Sequence, residues 1–142
     1  MTEEDIVRTE HAPPPVGAYP HARRAGELLF LSGIGPRPAS GGAIPGTETR
    51  ADGTVVTTDI EAQCHAVFAN VRAVLESAGA TMDELVDVRV FLTDIERDFA
   101  IYNRVYAEYF SADDGPCRTT VEVTRLPTPI AIELKCIARL SS

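Results

Sequence analysis

The feature that most constrains this fold is one apolar stripe that recurs at helical spacing between residues 60 and 78. Its members are Ile60, Cys64, Val67, Phe68, Val71, Val74, Leu75 and Ala78. Thr58 and Glu61 have the spacing of a capping box, which predicts that Thr58 caps the helix, and Gly79 ends it. A helix with one apolar face buries that face against another layer, so the stripe predicts a helix packed on a sheet.

The other periodic segments predict the rest of that sheet and a second helix. Asp94 precedes a further helical stripe that runs from Ile95 to Phe110. Alternating or short apolar runs predict strands near residues 22–25, 28–33, 86–92, 117–123 and 130–140. A long loop with a short strand is predicted between the second of these runs and the first helix. Because two helices cover only one face of such a sheet, the pattern predicts an α+β fold with both helices on one face.

Alternation along the strands also predicts the helix-free face. It would carry charged side chains among branched ones, namely Asp87, Arg89, Arg118, Glu122, Glu133, Lys135 and Arg139. This mixture is too regular for a plain solvated surface, so we expect the face to pack against other copies of the chain with its charges paired. The alternative is a wet sheet face, which antiparallel sheets allow.

Length and composition limit the domain organisation. The 142 residues fit a single domain. Residues 1–15 end in three prolines and are predicted to be a flexible N-terminal arm, which leaves residues 16–142 as one domain. The net charge of −8 disfavours a nucleic-acid partner.

The composition and hydropathy of the chain also bear on its location in the cell and on metal binding. Three widely spaced cysteines without a CxxC pattern fit a reducing cytoplasm. No signal peptide and no membrane span are expected from the hydropathy of the chain. The sequence has no set of metal ligands with a familiar spacing, so no metal is expected.

The segment from Gly115 to Val123 carries the clearest chemical signal. It predicts a strand on which Arg118 is mounted stiffly behind a Gly-Pro pair. A guanidinium in that setting is suited to grip a carboxylate or phosphate through two parallel hydrogen bonds. The alternative is that Arg118 pairs with Glu122 or with another acid at a subunit contact. His21 precedes a strand and is a second candidate for the site.

Several segments in order resemble the RidA family, also called YjgF. They are Gly17-Ala18-Tyr19, Leu29 to Gly33, the helix from Ala62 to Gly79, Asp98 to Tyr106, Arg118 to Pro127, and Ile132-Glu133. The resemblance implies a chorismate-mutase-like fold. It also implies a homotrimer in which three sheets line a central barrel, with a cleft at each subunit interface.

The resemblance also implies a cofactor-independent activity, the hydrolysis of imines or enamines of 2-amino acids to 2-oxo acids and ammonia. The carboxylate-binding arginine of the family falls on Arg118, and its tyrosine, serine and asparagine fall on Tyr19, Ser32 and Asn103. Glu133 is the candidate acid or base. The strand residues Thr120 and Glu122 are expected to contact the substrate, and Glu122 is a weaker candidate for proton transfer.

One departure from the family narrows this expectation. Typical members have a glutamate two residues after the position of Glu133, where this chain has Lys135. Together with Tyr19-Pro20-His21 and Arg37, this lysine resembles the 2-aminomuconate deaminase branch, whose substrate in aromatic catabolism is an enamine with two carboxylates. Lys135 or Arg37 would hold the second carboxylate. Lys135 is also a candidate to donate a proton to the leaving nitrogen, if burial lowers its pKa. The alternatives are a broad 2-iminoacid deaminase and a non-catalytic trimer that binds small ligands or acts like a chaperone.

Overall fold

The protein, described here over residues 2–141 by a computed structural model, is a six-stranded mixed sheet with two helices packed on one of its faces. The elements are β1 (Ile6–Val7), β2 (Ala22–Ala25), β3 (Leu28–Leu31), β4 (Thr47–Thr49), β5 (Val55–Thr57), α1 (Ile60–Ser77), β6 (Leu85–Leu92), α2 (Ile95–Tyr109), β7 (Cys117–Glu122) and β8 (Ile132–Arg139). The strand order is β1-β2-β3-β8-β6-β7, and β4 and β5 form a separate hairpin. The predicted α+β class is therefore confirmed.

Strand β7 lies at one edge of the sheet and is parallel to its neighbour β6, whereas the other pairs are antiparallel. Helix α2 makes the crossover between these two parallel strands, as a βαβ unit requires. The helix therefore runs beneath the face of β7, and side chains of α2 reach the edge of the sheet.

Both helices are capped by an aspartate at their N-terminal ends. The Asp59 carboxylate accepts a 3.0 Å hydrogen bond from the Ala62 amide, and Asp94 accepts one of 3.1 Å from the Arg97 amide. The predicted Thr58 cap is therefore wrong, whereas the Asp94 cap is confirmed. An anionic cap also interacts favourably with the positive end of the helix dipole. Gly79, with a φ of 76°, ends α1 in the left-handed region as predicted.

The core lies between the helices and the sheet. Helix α1 contributes the predicted stripe, including Val67, Phe68 and Val71, and β8 contributes Leu134, all almost fully buried. The alternation predicted for β8 is confirmed, since every second residue from Ile132 to Ala138 is buried.

The structure corrects one assignment that matters for function. Arg118, Thr120 and Glu122 were expected on the helix-free face, but they lie on the helix side. Their register partners on β6 are Val88, Val90 and Leu92, all of which are buried beneath the helices. The three residues do share one face, as the alternation predicted, but that face is opposite to the predicted one.

Residues Glu133 and Lys135 do lie on the helix-free face, as predicted. Their antiparallel partners on β6 are Phe91 and Arg89, which alternate with the buried residues of that strand. Exposed apolar side chains share this face, among them Phe30 on β3 and Val121 on β7. We refer to this surface as the open face.

Part of the segment expected to be a flexible arm lies on the sheet. Ile6 and Val7 form β1 and pair with Arg23 and Ala22 of β2, and Ala12 is almost fully buried. Two apolar residues are too short a run to show a strand period, so the sequence pattern did not show this pairing. Within residues 2–141, the helices are too short or too polar to cross a bilayer.

Candidate functional site

Arg118 lies over an aromatic surface formed by helix α2. The central carbon of its guanidinium is 4.7 Å from the ring centre of Tyr106, 5.1 Å from that of Tyr102 and 6.0 Å from that of Phe99. Its Nη1 donates a 2.8 Å hydrogen bond to Oδ1 of Asn103 on the same helix. We call Arg118, Asn103 and these three rings the arginine cluster.

The guanidinium is not neutralised by a neighbouring carboxylate. Arg118 makes no ion pair with any residue of the described segment 2–141. Glu122, the expected alternative partner, instead accepts a 3.0 Å hydrogen bond from the Ile95 amide at the start of α2. The remaining N–H donors of Arg118 are therefore available to an anionic ligand.

The hydroxyl groups next to Arg118 are held in neutral form. The Tyr102 hydroxyl is hydrogen bonded to Thr120 Oγ1 at 2.8 Å, and burial raises the pKa of Tyr102. Burial also raises the pKa of Tyr106 to about 12, and its buried hydroxyl has no hydrogen-bond partner among residues 2–141. In the single chain, the hydroxyl of Thr120, which was predicted to contact the substrate, is therefore already hydrogen bonded to Tyr102.

A second group lies on the open face, around β8. Burial raises the pKa of Glu133, and a Cβ placed on Gly33 would lie only 2.8 Å from its Oε2. The Lys135 ammonium donates to the carbonyl oxygen of Leu31, and burial together with the nearby Arg89 cation lowers the pKa of Lys135. We call Glu133, Lys135 and Gly33 the glutamate cluster.

A small pocket adjoins this cluster through Gly33 and the end of β3. Its lining includes Tyr19, His21, Ser32 and Arg37. The four candidate residues predicted in this region are therefore brought together around one pocket.

The polar atoms around the pocket hold the backbone that forms it. Ser32 Oγ donates to the Pro20 carbonyl at 2.7 Å, and Arg37 Nη2 donates to the Pro14 carbonyl at 2.9 Å. The Tyr19 hydroxyl accepts a 3.2 Å hydrogen bond from the Val16 amide. These contacts give Tyr19, Ser32 and Arg37 a role in shaping the wall of the pocket.

His21 is buried and has both ring nitrogens engaged. Nδ1 accepts a 3.3 Å hydrogen bond from the Thr9 amide, while Nε2 lies 2.9 Å from the Pro13 carbonyl oxygen. Because a carbonyl oxygen only accepts, Nε2 carries the proton, and the ring is neutral with one donor and one acceptor. His21 thus fastens residues 9–13 over the pocket.

The arginine cluster and the glutamate cluster lie on opposite faces of the same sheet. Arg118 is on the helix side of β7, whereas Glu133 and Lys135 are on the open face of β8. One chain therefore brings Arg118 together with Asn103 and Thr120, but it does not bring Arg118 together with Glu133.

Sequence reasoning missed several residues that support the two clusters. The rings of Phe99, Tyr102 and Tyr106 were interpreted as a buried stripe, although their i, i+3, i+7 spacing already placed them on one line. Asn70 of α1 donates 2.8 Å hydrogen bonds to the carbonyls of Gly35 and Arg37 and so fixes the loop beside the pocket. Within residues 2–141, no three His, Cys, Asp or Glu side chains are grouped closely enough to hold a metal ion.

Comparisons with known proteins define the class to which this fold and these clusters belong. A family model described as Endoribonuclease L-PSP matches residues 9–140. A RutC family protein of Pyrococcus horikoshii is 40% identical over 135 residues, which span 95% of this chain and 97% of the relative. The chain belongs to this family, which is the RidA family identified above by resemblance.

Two further relatives carry more specific descriptions. Reactive Intermediate Deaminase A of the Arabidopsis thaliana chloroplast is 36% identical, and the match covers 97% of this chain and 67% of that protein. The crystal structure of Escherichia coli TdcF with bound serine matches with a TM-score of 0.80 at 31% identity and covers 96% of this chain and 98% of that one.

Proposed function

We propose that this protein is a deaminase that hydrolyses imines or enamines of 2-amino acids. An enamine first tautomerises to the imine by proton transfer from nitrogen to carbon. Water then adds to the C=N carbon, and the resulting carbinolamine loses ammonia to leave the 2-oxo acid. The family relationship to a reactive intermediate deaminase supports this reaction class.

The observation that carries the proposal is the state of Arg118. Its guanidinium is half-buried, rests on three aromatic rings and has no carboxylate partner within residues 2–141. Such a cation binds the planar carboxylate of an amino-acid derivative through two N–H donors. Serine, which is bound in the TdcF structure, carries a carboxylate of the same kind.

The reaction site is completed between two copies of the chain. Arg118 and Glu133 lie on opposite faces within one chain, so a site that uses both needs Arg118 of one copy and Glu133 of its neighbour. The open face exposes Phe30 and Val121 at 37% and 41%, an apolar content that favours burial against other copies. We therefore include a homotrimer, with its sites at the subunit interfaces, in the proposal.

Glu133 is the group proposed to move protons. Burial raises its pKa above the ordinary value, and a carboxylate with a raised pKa is a stronger base, which can take a proton from the attacking water and return it to the leaving nitrogen. Proton transfer by a positioned group of this kind contributes roughly 10²–10⁴-fold to the rate. The Glu122 carboxylate already accepts a hydrogen bond from the Ile95 amide at the start of α2, so it is the weaker candidate.

Lys135 and Arg37 are the basis for a more specific proposal about the substrate. Lys135 lies on the open face beside Glu133, and Arg37 lines the pocket that adjoins Gly33. Either cation is proposed to meet the far end of a substrate held by the neighbour's arginine. An enamine with two carboxylates, such as 2-aminomuconate, would use two such cations. The broader proposal, a deaminase for many 2-iminoacids, does not depend on them.

The test is ammonia release from imines formed in situ by an amino-acid oxidase, measured beside release from 2-aminomuconate. Arg118→Ala is expected to lose activity on both substrates while it keeps the oligomeric state. Arg125→Ala, at an exposed arginine on the loop after β7, is the matched control and is expected to retain activity. Wild-type turnover by Arg118→Ala would remove this residue from the site, and binding of a 2-oxo acid without any ammonia release would support a non-catalytic binding protein.

A further inference from the structure

We propose that Phe99, Tyr102 and Tyr106 are positioning residues that hold the Arg118 guanidinium ready for a substrate carboxylate. This inference rests on the proposed function, because it assigns a task to residues that touch Arg118 and not the reacting atoms. None of the three rings carries a group that the proposed reaction needs.

The three rings meet Arg118 from one side. They follow the i, i+3, i+7 line of α2 and place their centres at 6.0, 5.1 and 4.7 Å from the guanidinium carbon. Separations within about 6 Å allow the cation to interact with the negative charge of the ring faces. Asn103, one residue after Tyr102, accepts a hydrogen bond from Nη1 and fixes rotation of the guanidinium plane.

At position 106 the ring, and not the hydroxyl group, is the part that acts on Arg118. The Tyr106 hydroxyl is buried and has no hydrogen-bond partner in the described part of the chain, and the Tyr102 hydroxyl is hydrogen bonded to Thr120. An unpartnered buried hydroxyl is unfavourable for stability, so it does not explain why an aromatic residue is placed at position 106.

Phe99 provides an independent reason for the same conclusion. Its side chain is 38% exposed, so burial in the core does not account for its position on α2. It contacts the Tyr102 ring edge to face, with 5.9 Å between ring centres, and extends the aromatic surface toward solvent. The guanidinium is thus supported at its outer side as well as beneath.

This arrangement restricts a long, flexible side chain before the ligand arrives. Arginine loses rotamer freedom when it grips a carboxylate, and a guanidinium already ordered by its neighbours loses less. The rings contribute to ground-state and transition-state binding alike, so their removal is expected to raise KM and to leave kcat little changed.

The experiment compares Tyr106→Leu and Phe99→Leu with Tyr106→Phe, which keeps the ring. KM and kcat are measured on an imine generated from alanine, and pyruvate binding is measured by titration calorimetry. Each leucine variant is expected to raise both KM and the pyruvate Kd about threefold to thirtyfold, while kcat stays within about twofold. Tyr106→Phe is expected to keep both KM and the pyruvate Kd within about twofold of the wild-type values.

Phe110→Leu is the control for lost packing, because Phe110 contacts the Tyr106 ring at 4.8 Å and is not among the rings around Arg118. A wild-type pyruvate Kd in both leucine variants, or an equal rise in Phe110→Leu, overturns the inference. If Tyr106→Leu fails to fold, the exposed position 99 decides the outcome. Wild-type turnover in Arg118→Ala overturns the proposed function instead, so the two failures are distinguishable.

Discussion

Asn103 and Arg118 are joined by a 2.8 Å hydrogen bond in which the guanidinium donates to the amide oxygen of helix α2. The bond links the edge strand β7 to the helix that crosses beneath it. Since the amide oxygen is uncharged, the arginine is oriented by Asn103 without being neutralised. An anionic partner at the same position would orient the guanidinium and also compete with a substrate.

The first prediction follows from this relationship. Asn103→Asp is expected to form an ion pair with Arg118 and to raise KM for an imine substrate by tenfold or more, because the substrate carboxylate then competes with an internal one. Asn103→Ala removes the hydrogen bond without adding charge and is expected to raise KM less. Steady-state kinetics on both variants check the order, and a lower KM in Asn103→Asp than in Asn103→Ala would contradict it.

The second prediction concerns Glu133 and the pH dependence of stability. Burial raises the folded-state pKa of Glu133 above its ordinary value of 4.5, so the folded chain binds this proton more tightly than the unfolded chain does. The folded state therefore loses stability as pH rises through the interval between the two pKa values. Glu133→Gln is expected to be more stable than the wild type at pH 7.5.

This gain is expected to disappear below pH 4.5, where the wild-type carboxyl is protonated in both states. Urea unfolding at pH 7.5 and at pH 4, at one fixed protein concentration, measures the difference. The same gain at both pH values would show that the amide packs better for another reason and would contradict a raised pKa.

The third prediction uses Gly33 as a probe of the Glu133 position. A Cβ at residue 33 would lie 2.8 Å from Oε2 and 3.1 Å from Cδ of Glu133, so Gly33→Ala forces the carboxylate to move. Because the displaced group is the end of a flexible side chain, the variant is expected to fold with a melting temperature within a few degrees of the wild type. Its kcat is expected to fall by about 10²-fold, the usual effect of a misplaced catalytic group.

The control is the same glycine substitution in a Glu133→Gln background. If Gly33→Ala acts through the carboxylate, it adds little to the loss already caused by Glu133→Gln. Multiplicative losses in the double variant would mean that Gly33 affects the site by another route.

The fourth prediction tests the finer substrate proposal at Lys135. Lys135→Glu places an anion where the far carboxylate of a dicarboxylic enamine would bind, so kcat/KM for 2-aminomuconate is expected to fall by about tenfold or more. Activity on a monocarboxylic imine is expected to change much less. Lys135→Gln removes the charge without reversing it and is the matched comparison. Equal losses on the two substrates would argue against a second carboxylate at this lysine.

The fold could be predicted closely where the pattern involved a whole element. The apolar stripe of α1 and the alternation of β8 each bury one continuous face, so their periods were sufficient. Cap assignment failed at Thr58 because adjacent residues both have capping side chains. Only the local backbone shows that Asp59 faces the free amide, while Thr58 Oγ1 turns toward the Gly46 carbonyl at 3.4 Å.

Along each strand, the sequence grouped the candidate residues better than it placed them in space. On β7, alternation grouped Arg118 with Thr120 and Glu122 correctly, but it placed them on the wrong face. Val121 looked like a core residue in sequence, yet it is 41% exposed on the open face, whereas Arg118 lies above the rings of α2. Alternation with a period of two shows which residues of a strand share a face. For an edge strand, it does not show which of the two faces is buried, because that depends on the layer that packs against it.

The proposed site is shared between two copies of the chain, with Arg118 from one and Glu133 from the next. The direct measurement is ammonia release by a protein co-expressed from equal amounts of Arg118→Ala and Glu133→Gln chains. Each variant alone is expected to be inactive, and random assembly into the proposed trimer would return both residues to about one quarter of the interfaces. Recovery to about one quarter of wild-type activity is the predicted result, and a mixture no more active than its parents would contradict the shared site.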